Sequence, residues 1–339
     1  MRQSPVSTED YLRLAPKAEL HVHLEGSIQP ATLLTLAERN GIELPATTVE
    51  GLREWFTYRD FAHFVDIYVA VTRCLRRRED YALITYELGR ELARQNVRYA
   101  EVTFTPATHH LRFGVPHDVY FPGLTEGRRQ ARDDFGVELR WVFDIVHLLS
   151  DDALHRRQAE YTTSVAIESR EDGVVALGLG GIEIGHSFER IAPYFDRARA
   201  AGLHAAPHAG ETVGPESIWG AINVLGAERI GHGVRATEDP ELVRHLAEHR
   251  IPLEVCPTSN IRLGVYPNLA AHPLRALYDA GVIVTVNSDD PPLFNTTLNQ
   301  EYSLLNGIRH SFMEEAWKQE QEEAFRAELA QLKRDTLVD

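Results

Sequence analysis

Two histidines one residue apart, His21 and His23, stand inside the run AELHVHLEGS. In an extended strand alternate side chains share a face, so these two imidazoles project together while Leu20, Val22 and Leu24 point to the other side. Such a pair can chelate one metal ion, but the same spacing suits two hydrogen-bonded histidines, and spacing alone does not decide. His208, in HAGE, ends another apolar run, and Asp289, in NSDDPP, follows a third. Alone, each reads as a core or capping residue. Together, three imidazoles and one carboxylate at the ends of strands suit zinc, with a water completing a five-coordinate centre.

Titratable groups cluster around these positions. Glu211 lies three residues after His208 and reads either as a carboxylate balancing a helix start or as a general acid/base beside the metal. His232, in RIGHGV, ends a strand between two glycines that allow close approach; a buried hydrogen-bonded histidine is the alternative. Asp290 is adjacent to Asp289, and neighbouring carboxylates repel unless a cation or hydrogen bonds intervene. Gly180-Gly181 marks a tight turn or exposes a backbone N–H to a ligand.

Bringing residues so distant in sequence together requires a fold that gathers strand ends. Short apolar runs alternate with amphipathic stretches, and the candidate strands are 18–24, 97–105, 138–146, 174–180, 203–208, 229–233, 252–256 and 282–287. Their continuous apolar character fits parallel strands covered by helices. About eight of them fit an α/β fold of the (β/α)8 TIM-barrel type, whose active sites lie at the C-terminal ends of the strands. Helix starts are expected at Ser187 and at Asp239-Pro240. The stretches 58–72 and 79–95 predict extra helices inserted after the first strand, over one barrel mouth. The charged tail after Phe312 reads as a packing helix. With no linker or repeat, residues 1–339 are expected to form a single domain. A doubly wound sheet is disfavoured because no G-x-G-x-x-G turn follows an early strand.

Composition narrows the function. A net charge of -15 lacks the basic footprint of a nucleic-acid binder. Cys74 and Cys256 form neither a disulfide framework nor a cysteine zinc site. The sequence has no apolar leader and no run of about 18 apolar residues for a membrane span, so a cytoplasmic protein without membrane or nucleic-acid partners is expected. A homo-oligomer is compatible with the sequence.

HVHLEGS, YAEVTFTP, HAGET, RIGHGV, EVCPTSN and VNSDDPPLF occur in that order between Pro16 and Gly307, and as a set they closely resemble the adenosine deaminase family. The resemblance implies one Zn2+ per chain on His21, His23, His208 and Asp289. It implies Glu211 as proton donor to purine N1. His232 would orient and help deprotonate the attacking water, and Asp290 would hydrogen-bond the hydroxide and the attacked centre. Gly181 would donate its backbone N–H to purine N3, with His23 and Glu25 also on the substrate side. The implied reaction is hydrolytic deamination of a small purine nucleoside or base, with adenosine or deoxyadenosine giving inosine or its deoxy counterpart plus ammonia.

Two departures bear on the substrate. Adenosine-specific members often carry Asp where this chain has Glu25, at the residue that contacts the ribose 5′-hydroxyl. The segment GLGGIE also lacks the usual Asp near Gly181. Deaminases of aminodeoxyfutalosine or adenine are therefore the alternative. A binuclear metal hydrolase bridged by a modified lysine is disfavoured, because Lys17, Lys318 and Lys333 all lie off the fourth strand. A cytidine-deaminase site lacks its P-C-x-x-C signature, since Pro257 and Thr258 follow Cys256. A non-catalytic scaffold is disfavoured because every expected position is filled.

Overall fold

The computed structural model describes residues 14–147, 152–185 and 188–302. Ser187 and the tail after Phe312 lie outside them. Nine parallel strand segments build the centre: β1 Lys17–His23, β2 Val97–Phe104, β3 Glu138–His147, β4 Val174–Gly181, β5 His204–Ala205, β6 His208–Ala209, β7 Ile230–His232, β8 Leu253–Val255 and β9 Val284–Val286. They pair as β1-β2-β3-β4-β5 and β6-β7-β8-β9.

The expected fifth strand, 203–208, is broken into β5 and β6. Pro207 interrupts it because proline has no N–H to give to a ladder. Continuity survives through Ala206 N donating to Leu177 O at 3.1 Å and Gly231 N to Pro207 O at 2.9 Å. The other seam closes where Asp289 N donates to His21 O at 3.1 Å and His23 N to Asp289 O at 2.8 Å. Counting β5 and β6 as halves of one strand, the result is an eight-stranded (β/α)8 barrel. The last two strands run shorter than their apolar spans, although Asn287 N still reaches Val255 O at 2.9 Å beyond β9.

The helices follow the sequence signals. Asp239 caps Pro240–His249 by accepting from Glu241 N, with Pro240 in the first turn. Phe188–Ala200 buries Ile191, Phe195 and Ala198 against the barrel. The insertion between β1 and β2 contains Pro30–Asn40, Val49–Trp55 and Phe61–Thr72, followed by Arg78–Arg94. Only Phe61–Thr72 supplies side chains to the cavity at the mouth. Arg78–Arg94 packs along His117–Phe135 on the barrel's outside, where Gly123 and Gly127 admit close approach of the Arg78 and Ala82 carbonyls. No helix of the described residues is long and apolar enough to cross a membrane.

Candidate metal centre and active site

β1 ends at the C-terminal mouth, and its period-two geometry turns His21 and His23 inward. β6 brings His208 beside them, and the turn after β9 brings Asp289. His208 Nε2 lies 3.3 Å from His23 Nε2, and Asp289 Oδ1 lies 3.5 Å from His21 Nε2 and 3.3 Å from His23 Nε2. The opposite ring nitrogens are held from behind: His21 Nδ1 bonds Glu254 Oε2 at 3.0 Å, and His208 Nδ1 bonds Leu179 O at 2.9 Å. That arrangement places the Nδ1 proton outward and aims the Nε2 lone pair at the shared space, the orientation a metal-ligating histidine needs. His21 Nε2 is buried without a hydrogen-bond partner.

The electrostatics agree. Burial alone would depress His21, but the Asp289 and Glu254 carboxylates overcome it and hold the ring's pKa well above the usual value. A proton there meets the same demand for positive charge that a cation would. His208 is pushed the other way, well below its usual value, by burial and by His21, His23 and His232, so it is a neutral donor. The donor set therefore fits a cation between the four side chains.

The backbone is constrained at this point. His232 has φ 61° and Asp289 φ 63°, left-handed conformations uncommon for residues with a Cβ and characteristic of functional sites. Gly231 is required by space: a Cβ there would lie 2.9 Å from His21 Cε1.

Glu211 and His232 flank the donor cluster. His232 Nδ1 is 3.6 Å from Glu211 Oε1, and its Nε2 is 3.9 Å from Asp289 Oδ2. Burial pushes His232 down to about 3, so the ring is neutral and presents a lone pair to the site. Burial, then Asp289 and Glu183, pushes the Glu211 carboxyl well above its usual range, leaving an acid able to donate one. Asp290 is likewise raised, by burial and then Asp289, and its Oδ1 is buried without a partner. A Cβ at Gly26 would fall 1.6 Å from that oxygen, so Gly26 makes room for it. Gly181, at the end of β4 with φ 91°, lines the same cavity as His23, His208, Glu211, His232, Asp289 and Asp290.

Glu25 does not line that cavity. It is fully buried, and its carboxylate accepts from Thr105 N at 3.1 Å, Thr105 Oγ1 at 2.6 Å, His109 Nε2 at 3.0 Å and Tyr68 Oη at 3.1 Å. Burial opposes ionisation, yet the His109 and Thr105 hydrogen bonds hold the Glu25 carboxyl below its usual range. Its link to the cavity runs through Tyr68, which does line it. Glu25→Ala would strand these four donors, and an unfolding free energy lower by about 3 kcal/mol is expected from urea titration. Wild-type stability in that variant would show that the network does not hold this wall.

Several residues that shape the site lie within or beside the recognised motifs but have no role assigned to them by the sequence. Glu254 links His21 to the fully buried Arg229, whose Nε lies 2.5 Å from Glu254 Oε1 and whose Nη2 pairs with Glu101. Glu183 accepts from the backbone N–H of Gly210, Glu211, Thr212 and Val213 and so fixes the loop that carries Glu211. Asn260 Nδ2 donates to Glu211 Oε1 at 3.2 Å. The available signal was a charge inside an otherwise apolar strand: Glu101 in YAEVTF and Glu254 in LEV. Glu254→Gln keeps an acceptor but removes the charge behind His21, and metal affinity measured by chelator competition is expected to fall roughly 10–100-fold. An unchanged dissociation constant would remove Glu254 from the support of the ligand.

The family model described as "Adenosine deaminase" matches residues 16–338. An aminodeoxyfutalosine deaminase of Streptomyces avermitilis is 49% identical over 291 residues, covering 85% of this chain and 80% of the relative. An adenine deaminase of Cupriavidus necator is 41% identical over 295 residues, covering 86% and 82%. The crystal structure of adenine deaminase from Arthrobacter aurescens superposes with a TM-score of 0.85 at 33% identity, covering 94% of this chain and 99% of that one. With the matched barrel and the converging histidines and carboxylates, these likenesses establish that the chain belongs to the adenosine deaminase family and is a hydrolytic purine-type aminohydrolase.

Proposed function

We propose that this chain is a zinc-dependent deaminase of aminodeoxyfutalosine, holding one Zn2+ on His21, His23, His208 and Asp289. The observation that carries the substrate is the 49% identity to an aminodeoxyfutalosine deaminase, against 41% to an adenine deaminase of similar coverage. Adenine is the second reading, supported by the second of these. Adenosine, favoured by the motifs alone, has weaker support, because the similar relatives are named for the other two substrates.

Zinc held by these four residues would supply Lewis-acid chemistry that makes a water proton easier to remove at neutral pH. His232 accepts the proton of the attacking water at a ring nitrogen. Glu211 donates its carboxyl proton to ring N1, so negative charge does not build up as oxygen bonds to C6. Asp290 hydrogen-bonds the incoming oxygen, and the N–H of Gly181 holds N3. His232 returns its proton to the amino group, the C6–N bond breaks and ammonia leaves; the C6 hydroxyl proton passes back to Glu211, so a 6-oxo ring with N1–H remains and both groups are restored. Phe61, Phe64, Val65 and Val69 of the helix Phe61–Thr72 make one wall of the cavity apolar.

The test is ammonia release by zinc-loaded protein from aminodeoxyfutalosine, adenine, adenosine and 2′-deoxyadenosine. The highest kcat/KM is expected for aminodeoxyfutalosine. A higher value for adenine or adenosine would move the substrate, and no release from any would point to another metal hydrolase.

A further inference from the structure

Arg112 is the cationic side chain in the cavity wall, and it is exposed where Glu211, Asp144 and Asp290 are buried. It therefore stands at the mouth while the acids gather at the floor. Among the described residues no carboxylate pairs with it; the contact its guanidinium makes is with the Phe113 ring, 5.8 Å to the centroid. Several other arginines are paired with acids, Arg39 with Asp80, Arg128 with Glu138 and Arg229 with Glu101. In a chain of net charge -15, an arginine left without an acid at the opening of a substrate cavity is available to a ligand.

Its local structure fixes it there. Arg112 ends a π-helical turn, Thr108–Arg112, that follows β2. Such turns are rare and concentrate at functional sites. Thr108, at the start of the turn, is buried and faces the same cavity. Between floor and mouth the wall is apolar: Phe61, Phe64, Val65 and Val69 on one helix, with Leu263 beyond.

We propose that Arg112 is a specificity residue that binds a carboxylate at the far end of an apolar arm carried by the sugar of an adenine nucleoside. This rests on reading the cavity as an adenine-nucleoside site with the ring at the floor. The floor groups are committed to the metal and the ring, so the cation left in the wall for an anionic group is the one at the mouth. A planar guanidinium matches a carboxylate through two parallel N–H donors. No lysine lines the cavity to help neutralise a dianion, which favours a carboxylate over a phosphate.

The test compares zinc-loaded wild type, Arg112→Met and Arg112→Lys on an adenine nucleoside with a carboxylate-tipped apolar 5′ arm, its neutral amide analogue, adenosine and AMP. Wild type is expected to prefer the carboxylate compound to the amide. Arg112→Met should raise KM for the carboxylate compound about 10-fold more than for adenosine, with kcat little moved, and Arg112→Lys should recover part of the difference. Equal effects on all substrates, or none, would overturn the assignment, as would a preference for AMP that depends on Arg112. Calorimetric binding of the carboxylate and amide compounds reads the same preference without turnover. Failure of the deaminase reading is thereby separated from failure of the Arg112 assignment. An equal affinity of wild type for the two compounds would overturn the latter.

Discussion

Glu211→Gln is expected to give a folded protein with zinc close to one equivalent per chain and a kcat lowered roughly 10²–10⁴-fold, the usual worth of a positioned general acid. The glutamine is nearly isosteric, and its Oε1 can keep the hydrogen bond from Asn260 Nδ2. The loop does not depend on the side chain, because Glu183 holds the backbone N–H groups of residues 211, 212 and 213 at 3.2, 2.7 and 2.8 Å. What disappears is the proton. Burial and the facing Asp289 and Glu183 carboxylates raise the Glu211 pKa well above the usual range. The acid form therefore persists to higher pH than in a free carboxyl, is fully present below the raised pKa and is lost as pH rises through it. Wild-type kcat/KM should fall along that alkaline limb, and the limb should be absent in the glutamine variant. Near-wild-type turnover would remove Glu211 from the reaction, and an unchanged alkaline limb would assign that limb to another group.

The legibility of this site in the sequence follows from where its residues sit. His21 and His23 were readable because strand periodicity dictates that they share a face, and the structure turns both inward. His208, His232 and Asp289 were readable because each ends an apolar run, and a barrel collects such ends. The break of the fifth strand was in principle readable from Pro207. The support behind the site was not. Glu254, Arg229 and Glu101 reach one another across the barrel interior from β8, the start of β7 and β2, and no spacing along the chain encodes that meeting. Glu25 shows the opposite limit. Motif position placed it on the substrate side, whereas its carboxylate is committed to Thr105, His109 and Tyr68. His109 belongs to the turn after β2, whose path only the folded chain reveals.

His208→Ala is expected to abolish retention of zinc through dialysis, with turnover falling to the level of whatever metal remains. A residue that only supports a ligand is worth roughly 10–100-fold in metal affinity, and removing a ligand costs more than that. A readout independent of activity separates this from misfolding. A metal that binds the native state alone stabilises it by RT ln(1 + [L]/Kd), about 4 kcal/mol at a thousandfold excess over Kd. Wild type should therefore gain Tm on adding zinc, and the alanine variant should not. The zinc-free Tm should move little. His208 opens on the cavity, with a side chain 17% exposed, so its removal leaves no enclosed void. It also relieves the crowding with His21, His23 and His232 that depresses its pKa. A lower Tm in the zinc-free variant would assign His208 to the architecture, while undiminished zinc and an intact zinc-dependent rise in Tm would remove it from the ligand set.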